Sequence, residues 1–136
     1  MSKEGNNLQI IGAKAAGAIT EDVFVKIASG TAYPGELVVD EAGAGEAILG
    51  VSCNEAAAAG DTVEVAIQGI GKLVTLDGTP GSVTPGAQLK AAAGGTAVLT
   101  TDALTNTGGR ALATSSTAGA KIPIMIEPHS SVKAAS

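Results

Sequence analysis

The sequence predicts an all-β chain, a small antiparallel β-barrel or sandwich with little or no helix. Three observations carry this. Short runs alternate apolar and polar residues with period two, most clearly Val23-Phe24-Val25-Lys26-Ile27 and Thr62 to Gln68. Gly, Pro, Asn and Asp break these runs, with 19 glycines in 136 residues. No stretch sustains helical spacing: Ala13 to Ala18 and Glu55 to Ala59 have helix-forming composition, but each spans about one turn, too short to stand alone.

Met1 to Asn7 is polar, and the apolar patch Leu8-Gln9-Ile10-Ile11 follows. Residues 1–12 are expected to form an extended N-terminal arm, residues 13–128 the β domain, and residues 129–136 a flexible polar tail. The first clear strand is Val23 to Ile27, with Val23, Val25 and Ile27 on one face. Tyr33-Pro34-Gly35 is a turn. Leu37-Val38-Val39 follows, closed by Ala42-Gly43-Ala44-Gly45, and Ala47 to Cys53 is the next apolar run, with Gly50 at a bulge. In Thr62 to Gln68, Val63, Val65 and Ile67 share a face. Gly69-Ile70-Gly71 then allows a sharp bend into a separate run, Lys72 to Leu76. Asp77-Gly78 and Pro80-Gly81 mark tight turns. Weaker strands are expected at Gln88–Ala91, Thr96–Thr100 and Ala111–Thr114, with Thr101 to Gly109 a loop. Ile122-Pro123-Ile124-Met125-Ile126 closes the domain. Pro123 lacks a ladder donor, which predicts an edge strand. The total is eight to ten strands of ~4–6 residues.

Composition narrows the function mostly by exclusion. Hydrophobic residues are 45% of the chain, yet Phe24 and Tyr33 are its only aromatics, so the core is built from small side chains. A thin core favours oligomerisation. The net charge is -5, and the eight basic residues are scattered with no two adjacent, so no stripe exists for nucleic-acid phosphates. No apolar stretch approaches the ~18 residues needed to span a bilayer, and no apolar segment after the polar N-terminus makes it a signal peptide. A soluble protein with neither nucleic-acid nor membrane partner is expected. Cys53, the single cysteine, excludes an internal disulfide and reads as a small buried hydrophobe on a strand. His129, the single histidine, reads as a solvated tail residue.

No cofactor, metal or catalytic site is expected. Gly45/Gly50 and Gly12/Gly17 have the outer spacing of a phosphate-binding loop, but Val51 and Ala18 stand where its lysine must be. Gly69-Ile70-Gly71-Lys72 has the lysine without the spacing. The carboxylate pairs Glu21-Asp22 and Asp40-Glu41 flank a strand end or turn, where acids are commonly solvated, and no histidine partners them. No His/Asp/Glu group has metal-ligand spacing. The one close Thr-x-Thr, Thr105-Asn106-Thr107, is too little for an ice-binding array. What remains is a structural or interaction protein.

The middle of the chain resembles the capsid decoration (cement) proteins of tailed bacteriophages. The resemblance rests on Ala47-Ile48-Leu49-Gly50-Val51-Ser52, then Ala57-Ala58-Ala59-Gly60-Asp61-Thr62-Val63-Glu64-Val65-Ala66-Ile67-Gln68-Gly69, then Val83-Thr84-Pro85-Gly86-Ala87-Gln88-Leu89, and covers roughly Ala18 to Leu99. The chain departs from the family in its low aromatic content and in the Thr/Gly-rich stretch Thr96 to Thr117. The resemblance implies a tulip-like β domain, made in the host cytoplasm, on the outer surface of an icosahedral virion capsid. It implies a homotrimer whose partner is the major capsid protein, bridging neighbouring subunits and stabilising the head. Expected capsid or subunit contacts are Leu8, Ile10 and Ile11 on the arm, with Phe24 and Tyr33, because large rings are scarce here and interfaces favour them. The alternative is a receptor- or glycan-binding surface module, a head fibre or adhesin.

Overall fold

The period-two runs become nine strands in the computed structural model, which describes residues 7–29, 33–101 and 105–129. In chain order they are β1 (Gln9–Ala15), β2 (Phe24–Ile27), β3 (Val38–Glu41), β4 (Gly50–Ser52), β5 (Thr62–Thr75), β6 (Gln88–Ala91), β7 (Ala97–Leu99), β8 (Thr107–Ala111) and β9 (Lys121–His129). A 3-10 turn at Ala93–Gly95 is the one helical element among the described residues. The fold is all-β.

The strands pair in the order β1-β3-β2-β4-β5-β9-β8-β6-β7, and β1 also pairs with β5. That second contact closes β1, β3, β2, β4 and β5 into a five-stranded barrel. The strand pairs are antiparallel except β1–β3, which is parallel. The remaining strands grow from the far half of β5 as a sheet. Its last strand, β7, returns to the end of β5 through a parallel bridge between Leu76 and Ala97.

β5 joins the two halves. It runs as one strand of 14 residues where the glycines predict a bend between two. Gly69 (φ 131°) and Gly71 (φ 96°) absorb a bulge, and the register against β9 slips between Ile70 and Lys72. The bulge shifts the phase of alternation: Val63 and Val65 face inward before it, Lys72 and Val74 after it.

Two cores result. Ala15, Ile19, Val25, Val39, Val63 and Val65 fill the barrel. Phe24, Val51, Ala66, Leu76, Leu89 and Ile124 fill the space between barrel and sheet. β2 serves both, sending Val25 into one and Phe24 into the other. Gly108, on β8, lies so close to the Phe24 ring that no Cβ would fit there.

Several expectations change. β9 is not an edge strand: it lies between β5 and β8. Pro123 is tolerated because its polar side faces β8 just past that strand's end. Its carbonyl accepts from Leu112 N at 3.0 Å, and the missing N–H falls beyond Ala111. The expected strand Ala111–Thr114 is replaced by Thr107–Ala111, since the glycines there are packing positions. Ala13–Ala15, too short to stand alone as a helix, is the end of strand β1. Residues 9–12 belong to β1 and pair with β5, so they are part of the barrel wall and not an extended arm. His129 is the last residue of β9, opposite Thr107, and not the start of the tail. Residues 1–6 and 130–136 lie outside the described residues.

Candidate functional site

The five expected contact residues do not converge on one surface. Leu8 is half-buried against the core between barrel and sheet, and Ile11 is half-buried against the barrel core. Ile10, beside them, is 46% exposed. Phe24 is fully buried, so its ring has no surface to offer a partner. That expectation is corrected: the rarity of aromatics reflects one large ring filling a core of Ala and Val. Tyr33 is half-buried with its hydroxyl against Gly60, and Gly60 N bonds to Ala15 O at the far end of β1 from Ile10.

A different surface emerges from register. The outward residues of β9 are Lys121, Pro123, Met125 and Glu127, because Ile122, Ile124 and Ile126 face the core. Leu73 on β5 pairs with Pro123, and Leu112 stands on its other side. Ile70 pairs with Met125, which pairs in turn with Arg110 on β8. Five apolar side chains thus form two adjacent cross-strand rows, at the ~5 Å spacing of opposed residues. Ile70, Leu73 and Leu112 are 50%, 42% and 41% exposed. The bulge creates this face: it lets Ile70 and Leu73, three apart in sequence, point the same way.

The rim is polar. Arg110 Nε donates to Glu127 Oε1 at 2.9 Å on one side, and Lys121 stands opposite Thr75 on the other. A shallow groove of about 420 Å³ continues the face where β1, β5 and β9 meet, lined by Gln9, Gln68, Ile70 and Met125 among others. An apolar centre inside a polar rim is the usual anatomy of a protein interface.

Beneath that face lies a buried charge cluster. Asp22, in the turn before β2, takes φ 62°, the left-handed region that disfavours most side chains. Its backbone is held by Ser52 O and Thr75 N. Its carboxylate is paired to the buried Lys72 ammonium and accepts from Lys121 Nζ at 2.9 Å. Burial opposes its ionisation, but the two ammonium groups outweigh that and hold its pKa below the usual value. The same contact raises the pKa of Lys121. Asp22 was expected to be solvated. No sequence signal marks its partners, which lie 50 and 99 residues away.

Nothing in the geometry activates Cys53. Its thiol is half-buried, and burial pushes its pKa up. No three His, Cys, Asp or Glu side chains cluster as metal ligands among the described residues.

The profile of a family described as phage cement protein matches residues 3–126. The chain belongs to the phage cement protein family. Membership gives this cement protein a structural role on the exterior of the virion capsid. Its fold is similar to a solved structure, the N base of the head fibre protein gp8.5 of bacteriophage phi29. The TM-score is 0.67 at 19% identity, covering 88% of this chain and 94% of that one. No curated protein sequence matches the chain.

Proposed function

We propose that this cement protein bridges subunits of the major capsid protein on the outside of the head, stabilises the head against disruption, and does so as a homotrimer without catalysing a reaction. The family match across residues 3–126 carries the reading. The physical chemistry supports it. A small chain with few large core side chains gains stability from any partner that binds only its folded form. The exposed rows of apolar residues on β5, β8 and β9 supply surface for such contacts. Ile10 and the residues before β1 supply a second contact with the capsid.

The test is co-sedimentation of purified chain with heads lacking cement, followed by heating of the decorated and bare heads. Binding together with a higher temperature of head disruption is expected. Chain left in the supernatant at saturating heads would sink the reading. Removing residues 1–6 leaves every described strand intact and is expected to weaken binding. Removal through Ile11 is uninformative, because it also takes the β1 residues that pair with β5.

A further inference from the structure

We draw no further inference here: the strongest candidate, the outward apolar face that Ile70 and Leu73 on β5, Pro123 and Met125 on β9 and Leu112 after β8 form on the sheet, carries nothing beyond the role proposed above, because nothing in the structure shows what covers it.

Discussion

Asp22 shows most directly how a side chain's neighbours decide its role. Its carboxylate neutralises Lys72, whose side chain is 9% exposed, and ties the turn before β2 to β5 and β9. Removing it strands a buried ammonium, which typically costs about 3–5 kcal/mol. Asp22→Ala is expected to lower stability by that order in urea titration, and a loss under about 1 kcal/mol would show the cluster to be dispensable. The pH dependence has a definite sign. The folded pKa of Asp22 lies below its unfolded value, so its contribution is present above about pH 4 and is lost as pH falls through the folded value. The thermal midpoint of wild type should therefore fall more steeply as pH drops below about 4 than that of Asp22→Asn. Parallel curves would reject this assignment. Phe24 makes the complementary point. Phe24→Ala empties the largest fully buried side chain and is expected to cost ~3–5 kcal/mol. Neither role was legible in the sequence. Glu21-Asp22 looks like any acidic turn, and a lone Phe among valines looks equally suited to core or contact.

At the level of elements, legibility followed the completeness of the period-two signal. The alternation in Thr62–Gln68, and the three isoleucines of β9, placed those strands and their inward faces. β8 was displaced because Thr107-Gly108-Gly109 has loop composition; its glycines are there so that Phe24 and the β9 backbone can approach closely. The edge reading of β9 failed because proline excludes a donor at one position on one side, and here that side lies past the end of β8. The bulge in β5 is the element on which both halves turn. At Gly69 the positive φ is joined by crowding: an added Cβ would stand 2.7 Å from Leu8 Cδ2 and 2.9 Å from Asn7 O. Gly69→Ala is expected to cost ~1–3 kcal/mol through backbone strain, with β1 displaced at its start. Gly12→Ala, on the same strand pair with open space around it, is expected to change stability by under ~1 kcal/mol. Equal effects at the two positions, measured by denaturant midpoint, would remove the bulge from the account.

For the whole molecule, composition and turn spacing were enough for an all-β barrel or sandwich, and the family resemblance carried the capsid role. Three things were beyond the sequence: closure of the barrel by β1, the division into two cores, and the outward apolar face. Each depends on pairing between distant segments. Gln9-Ile10-Ile11-Gly12 gives no alternation of its own, and the apolar face is assembled from three strands with a phase shift inside one of them. The division into two cores does not make two folding units. β5 crosses from barrel to sheet without a break, β2 sends adjacent side chains into both cores, and Asp22 bonds to both halves through Ser52 O, Thr75 N and two lysines. Opening the sheet alone would expose one face of β2, β4 and β5 to water and unpair the buried Lys72. The cost of partial opening is therefore close to that of unfolding the chain, which is the condition for two-state behaviour. Native-state hydrogen exchange should give the amides of Val65, in the barrel, and Ile124, in the sheet, the same opening free energy and the same denaturant dependence. If Ile124 exchanged through an opening several kcal/mol cheaper, the sheet would be an independent unit, and the Asp22 cluster would be a local contact within it and not the joint between the halves.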